Sequence, residues 1–564
     1  MTNFLTSFFV LLVLSILWNC SSLSAAAAQE DTTVAARDFV RNYETTVVPI
    51  EISLNRAWWE ANTSGSDEAF ANKEALDKQM NELLSSPGNF EKLKSIKAGT
   101  ITDPQLARQI EVLYLIYLNR QGDLTLLNRM SAKANEIEKK FNQFRATVGK
   151  KSFTDSQVRD VLLTSKDSVE REQIWKANKD VGTQVAVDLR ELVRMRNEVA
   201  RKLGFKNYHD MQLTINEQDQ AEVLALFDEL DDLTRGPYAR AKDQIDTALA
   251  DQYGLLVSDL QPWHYQDPFF QEPPAVYEID LGGPFSKTDI LQVCREFYAG
   301  IKLPIEDVLE QSDLYEKPKK SPHAFCTDID RAGDVRVLAN IVPNEYWMST
   351  MLHELGHSVY SSKYIPMTLP YLLRVNSHIL TTEGVAMMFE RFATDPEWLK
   401  AYGVDVDDPA TYKAASQRMR RDKLLIFSRW CQVMLRFEMA MYEDPDQDLN
   451  QLWWDLVEKY QLVQRPEGRD APDFASKIHV VSAPCYYHNY MMGELFACQV
   501  HAAICRDLDI PGKPANAFYT REPRVGKFMQ EKIFDPGAML PWNELTKHAT
   551  GEHLNAKSFA AEFQ

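Results

Sequence analysis

Cysteine is scarce in this chain, and what there is carries no chemical pattern. Seven cysteines stand among 564 residues, and no two form a C-x-x-C pair, which argues against a thiolate metal site or a redox dithiol. Cys20 follows Leu17-Trp18-Asn19, a poor lipobox. The other six read as buried thiols; Cys498 and Cys505 share a helical face seven residues apart, too far for a disulfide. A chain of this length buries a core large enough to need no covalent staples. Linkers are missing too. No Gly/Ser-rich or Pro-rich stretch and no repeat divides the sequence, so residues 29–564 are expected to form one domain. Positive charge is in deficit: 62 Lys and Arg face 81 Asp and Glu, a net charge of −19. That balance speaks against nucleic acid as a partner.

Long apolar runs are absent except at the start. Phe8 to Trp18 has the length of a signal-peptide core, and Ala25-Ala26-Ala27-Ala28 offers a small-residue cleavage site. Residues 1–28 therefore read as a signal peptide, and the mature protein as exported to a periplasm or the extracellular space. The first residues lack Lys and Arg, so an uncleaved anchor is the alternative. No later stretch is apolar enough to span a bilayer. The chain is expected to be monomeric.

What remains is mostly helical in pattern. Asp103-Pro104 pairs an N-cap with proline at the first helical position, and Leu106, Ile110, Leu113 and Tyr117 form one apolar stripe in a helix expected to close at Gly122. Arg37–Trp59, Thr154–Lys179 and Asp219–Tyr253 behave similarly, and Trp58-Trp59 reads as helix packing. From Val34 to about Leu260 no strand is expected. The one convincing strand signal is a hairpin, Ala324–Ile329 and Val335–Leu338 around Asp330–Asp334. After it come amphipathic segments at Met419–Phe427 and Leu452–Tyr460, then a dense polar-aromatic run from Lys477 to Tyr490.

Directly after the hairpin stands His353-Glu354-Leu355-Gly356-His357, an H-E-x-x-H pattern. On a helix, positions i and i+4 share a face, so both imidazoles can meet one metal ion. Glu354, about 100° round from His353, can touch a water on that ion without binding it. Pro343-Asn344-Glu345 signals the helix start. Zinc held by two histidines takes a third protein ligand and keeps one position open. Tyr360 and Lys363 occupy the places where a metzincin has Gly and His, which excludes that sequel. Glu383 opens the next apolar helix behind an N-cap at Thr381 or Thr382, and is the expected third ligand. Glu390, two turns along, is the runner-up, and His378 has no motif support.

These residues, with Gln261-Pro262-Trp263, Glu316-Lys317-Pro318, His323-Ala324, Leu452-Trp453-Trp454 and Lys477-Ile478-His479 through Tyr490-Met491-Met492, resemble the angiotensin-converting-enzyme family. The resemblance covers nearly the whole chain after the leader and is clearest from Ser321 to Cys505. It implies a mainly α-helical ellipsoid, a single gluzincin metallopeptidase domain. A deep central cleft would divide it, N-terminal helices would act as a lid, and a small hairpin would lie beside the zinc helix. It implies one zinc ion on His353, His357 and Glu383, with Glu354 as general base. Tyr490 would stabilise the oxyanion beside His479, and His323 and Ala324 would grip the substrate backbone. Gln261, Lys477 and Tyr487 would hold the C-terminal carboxylate of an oligopeptide cut two residues from its end.

The sequence departs from the family in places. The interval from His357 to Glu383 is about two residues longer, and Met387 stands where the family has an aspartate that orients a zinc-binding histidine. The span from His479 to Tyr490 is about one residue longer, so Tyr486 is an alternative to Tyr487. Val457 and Asn489 replace chloride-binding arginines, so the resemblance does not extend to chloride activation. Pro322 and Ala339 stand where one disulfide pair would be. Besides a peptidyl-dipeptidase, a related zinc oligoendopeptidase or carboxypeptidase and a non-catalytic peptide-binding relative remain open readings.

Overall fold

The computed structural model describes residues 31–276 and 280–564; the expected signal peptide, 1–28, lies outside them. The described chain is mainly helical, with two separate antiparallel hairpins. No helix among the described residues is long and apolar enough to cross a membrane.

Local sequence decides where helices begin. Asp103 caps Pro104–Leu118 by accepting from the N–H groups of Gln105 and Leu106. That helix stops four residues before Gly122 because Asn119 to Gln121 turn on their own backbone bonds. The expected helix over Arg37–Trp59 is two, residues 31–46 and Val48–Ser64, meeting at Val47. Thr154–Lys179 is also two. Thr154 forms a capping box with Gln157 over Asp155–Thr164, the chain turns, and Asp167 caps a new helix, Ser168–Lys202. A short hairpin, β1 (Ala146–Val148) and β2 (Lys151–Phe153), interrupts the run that reads as continuous helix. Gly149 makes its turn at φ 62°, a conformation glycine adopts without strain.

The second hairpin falls where the pattern puts it, as β3 (Phe325–Asp328) and β4 (Val335–Leu338). The outer side of β4 is closed by Asp313, whose N–H donates to Val337 and whose carbonyl accepts from Ala339. Strand β3 is therefore the open edge. N-terminal helices lie against one face and the turn of this hairpin: Trp58 packs on Phe325 at 4.2 Å, and Glu51 pairs with Arg331 at 2.6 Å. Those helices have their own apolar cluster, including Phe39, Phe90, Leu93 and Tyr117, which meets the rest of the protein at Leu372. The two tryptophans thus pack, as expected. All six cysteines of the described residues are free, and all but Cys326 are buried.

Four helices surround the main core beside β3. They are α1 (Glu345–Val359), α2 (Ile379–Glu390), α3 (Pro409–Glu443) and α4 (His488–Asp507). Asn344 caps α1 by accepting from the Trp347 N–H at 2.9 Å. Helix α2 starts earlier than the threonine pattern suggests. His378 is its cap, its Nδ1 accepting from Leu380, and Thr381 closes the capping box. Small residues let these helices touch. A methyl on Gly356 would meet the Ala386 Cα at 2.7 Å, and one on Gly384 would meet the Phe496 ring at 2.6 Å and the Gly493 carbonyl at 2.7 Å. Gly384→Ala is therefore expected to cost about 1–3 kcal/mol, since backbone on α4 cannot yield as a flexible side chain would. Thermal denaturation of the variant checks it; an unchanged Tm would mean the helices part freely.

Burial also sets an acid limit on the fold. His209, His264, His378, His488 and His501 are all buried. Burial holds His209 at about 4, as it does His378; for His264, also about 4, Arg171 adds to the effect. His488 and His501 are also pushed well below the ordinary histidine range, again mainly by burial. The folded state then binds fewer protons than the unfolded chain, so this stability is complete above about pH 6.5 and is lost as pH falls towards 4. At pH 5 His209, His264 and His378 each give up about 2 kcal/mol. Glu438 and Glu354, both raised to about 7 by burial, work in the opposite sense and offset part of that loss. Calorimetry on chelated protein should show Tm falling steeply from pH 7 to 5.

Candidate active site and metal centre

Helices α1 and α2 bring three donors together. His353 Nε2 and His357 Nε2 are 3.1 Å apart, and Glu383 Oε2 lies 3.6 Å from the first and 3.9 Å from the second. A tetrahedral ion with bonds of about 2.0–2.1 Å sets its donors about 3.3 Å apart, so these positions fit zinc. This is the only such His/Cys/Asp/Glu group among the described residues. His378, spent on its helix cap, does not join it.

Both imidazoles are aimed by their other nitrogen. His353 Nδ1 donates to Glu390 Oε2 at 2.8 Å, and His357 Nδ1 pairs with Thr382 Oγ1 at 2.8 Å. With Nδ1 engaged, Nε2 of each ring is left for a metal. Glu390, the runner-up ligand, is thus a partner of a ligand. Thr382 is free for this because the helix starts at His378.

Glu354 faces β3 from between the two histidines and is 7% exposed. Burial raises its pKa to about 7, against the pull of His353, while the Cys326 N–H favours its charged form. With the Cys326 N–H directed outward from β4, alternation along the strand puts the Ala324 backbone on the same open side. His323, one residue earlier, is exposed.

The aromatic segment divides into two groups. Tyr486 and Tyr490 stand edge-to-face at 5.2 Å, and the Glu383 carboxylate adds to the burial that raises both phenols. Tyr487, 5.5 Å from Tyr490, turns towards Lys477, whose Nζ is 5.5 Å from its ring centre. Between the two tyrosine positions weighed for the carboxylate, Tyr487 is the one beside the cation. His479 packs on Tyr487 at 5.2 Å, and burial with the Lys477 charge lowers it to about 4, so it is a neutral imidazole with an unpaired Nδ1.

Lys477 is 7% exposed, ringed by Phe269, Trp430 and Tyr487, and its Nζ donates to Gln271 Oε1 at 2.6 Å. Burial lowers it to about 8. Gln261 sits ten residues away at the start of a turn where its N–H donates to His264 Nδ1, and no bond among the described residues joins it to Lys477. Gln271 was not legible because its place depends on a turn built by Asp267, which accepts from the N–H groups of Phe269 and Gln271. Lys477, Gln271 and His479 line one cavity of about 200 Å³. Val457 lines a separate, mainly apolar pocket with Lys179 and Trp453. Asn489 is bonded to Gln218.

Comparison with known proteins accords with this geometry. The chain is 22% identical to an angiotensin-converting enzyme of Theromyzon tessulatum over 96% of its own length and 93% of that protein's. It is 20% identical to the Mesocricetus auratus angiotensin-converting enzyme over 94% of this chain but 43% of that protein, and 22% identical to the Mus musculus enzyme over 70% and 32%. The chain thus spans less than half of these two mammalian relatives. A family model described as angiotensin-converting enzyme matches residues 30–256 and 281–564. With two histidines and a glutamate poised for zinc and that model spanning nearly all its length, the chain belongs to the angiotensin-converting-enzyme family of zinc metallopeptidases.

Proposed function

We propose that this protein is a peptidyl-dipeptidase, releasing C-terminal dipeptides from oligopeptides with a free carboxyl end. The observation that carries the reading is a continuous row of side chains. It runs from Tyr490, whose hydroxyl feels the Glu383 charge, through Tyr487 to the buried cation of Lys477, which opens on the cavity shared with Gln271 and His479. A cation at a fixed distance from the metal ligands acts as a ruler for a terminal carboxylate.

Zinc, when bound by His353, His357 and Glu383, supplies Lewis acidity for the scissile carbonyl and lowers the pKa of water. Glu354 accepts the proton of the attacking water and hands it to the leaving amine. The Tyr490 hydroxyl donates to the carbonyl oxygen as negative charge grows there, which stabilises the transition state more than the substrate. The open edge of β3, with Ala324 and His323 at its start, pairs with the extended substrate backbone. Lys477, aided by Tyr487 and by an amide from Gln271 or Gln261, takes the carboxylate. The reading includes no chloride requirement, since Val457 and Asn489 bring no positive charge. It also includes a monomeric, exported protein cut after Ala28, a reading carried by the apolar run Phe8 to Trp18 and the small residues Ala25 to Ala28.

The test offers one peptide to zinc-loaded protein as the free acid and as the amide, with products read by mass. A dipeptide released only from the free acid is expected. Equal internal cleavage of both would overturn the ruler in favour of an oligoendopeptidase, and loss of single residues would make it a carboxypeptidase. No cleavage by zinc-loaded protein would leave a peptide-binding relative.

A further inference from the structure

A zinc-bound histidine needs a partner on its second nitrogen, which fixes the ring and raises its basicity. The family resemblance puts that partner four residues after the third ligand, where this chain has Met387, an uncharged thioether. The structure supplies the carboxylate elsewhere. Glu390 Oε2 accepts from His353 Nδ1 at 2.8 Å, and Glu390 Oε1 accepts from Lys423 Nζ on α3 at 3.3 Å.

Helix geometry explains how the substitution works. Positions i+4 and i+7 lie on one face of a helix, about 60° apart around its axis. Glu390 is therefore on the stripe that carries Glu383, one turn beyond Met387. Side chains lean towards the N-terminus of their helix, so Glu390 slants back towards His353. The extra methylene of glutamate over aspartate adds reach. Lys423 fixes the other end of the carboxylate from across a chamber of about 90 Å³, which is also lined by Met387 and Glu494.

We propose that Glu390, braced by Lys423, is the positioning residue for the zinc ligand His353, and that this carboxylate, rather than anything at position 387, sets the zinc affinity of the site. The inference rests on reading His353, His357 and Glu383 as the zinc ligands, and does not depend on what the enzyme cleaves.

The experiment measures zinc affinity of metal-free protein by competition with a chromogenic chelator, together with the Tm of the metal-free form. Glu390→Gln, which keeps shape and an acceptor but drops the charge, is expected to weaken zinc binding about tenfold, and Glu390→Ala up to about a hundredfold. Met387→Ala should stay within about twofold, because Met387 has no part in the ligand's orientation. Moving the acid back, as Met387→Asp on the Glu390→Gln background, should recover part of the loss. Glu390→Gln binding zinc as tightly as the parent would overturn the proposal, as would Met387→Ala weakening it equally. A loss in Glu390→Gln that tracked a collapse of the metal-free Tm, with no recovery by Met387→Asp, would assign Glu390 to the fold instead. Tight zinc binding with no peptide cleavage would sink the peptidase reading and leave this one standing.

Discussion

Glu354→Gln is expected to lower kcat on any peptide substrate by about 10²–10⁴-fold, the range a positioned acid–base group contributes, while one zinc per chain stays bound. The two halves of that result have separate causes. Glutamine has the size of glutamate and can still accept from the Cys326 N–H that faces this position, so α1 and β3 keep their spacing. None of the three donor atoms facing the metal position belongs to residue 354. The amide cannot take a proton from water, so the chemical step fails. The pH profile gives a second check. Burial lifts the Glu354 pKa to about 7, and the group works when deprotonated. Activity is therefore lost as pH falls through the pKa, and a bound zinc, being positive, moves that acid limb below 7. Loss of zinc from the variant, measured by metal analysis, would mean instead that the residue holds the centre together.

The line between what was legible and what was not follows the range of the forces involved. His353, Glu354 and His357 are readable because helix period and capping by Asn344 are local, and the donor spacing follows from them. Glu383 is readable as the first acid on the next helix. Its partners are not. Glu390 and Thr382 bond to the two histidines through the register of α2 on α1, which depends on Gly356 allowing Ala386 to approach. No local pattern encodes that register. The break between residues 164 and 168 is hidden in the sequence for a related reason: the apolar period continues across it, and only the Asp167 cap betrays a new start. The β1–β2 hairpin is three residues a side, too short to show alternation. The early start of α2 escaped because a histidine does the capping, a role usually left to Ser, Thr, Asp or Asn. Gln261 and Gln271 illustrate the limit at the site itself. One is in the recognisable motif, and the other is the amide bonded to Lys477.

Lys477→Met should separate substrates by their ends. On a peptide with a free C-terminus, kcat/KM is expected to fall by about 30- to 5,000-fold, which is about 2–5 kcal/mol for breaking a buried charge pair; on the corresponding amide it should change by less than about threefold. Methionine keeps the apolar length of the lysine stem, so the contacts with Phe269, Trp430 and Tyr487 survive, and Tm should hold. What goes is a cation that makes one hydrogen bond among the described residues, to Gln271, and has three protons to donate. Its remaining donors are what a carboxylate would use. The parent protein offers the same test without mutation. Burial lowers Lys477 to about 8, so in the free enzyme the charge is present below that pH and fades above it. The kcat/KM for the free acid should then decline on the alkaline side, beginning near pH 8, while the amide shows no such limb. A variant that lost both substrates equally would make Lys477 a packing residue, and the cavity beside it would lose its claim on the substrate's end. A loss confined to the free acid would fix the distance from the metal ligands to this cation as the property that decides where the peptide is cut.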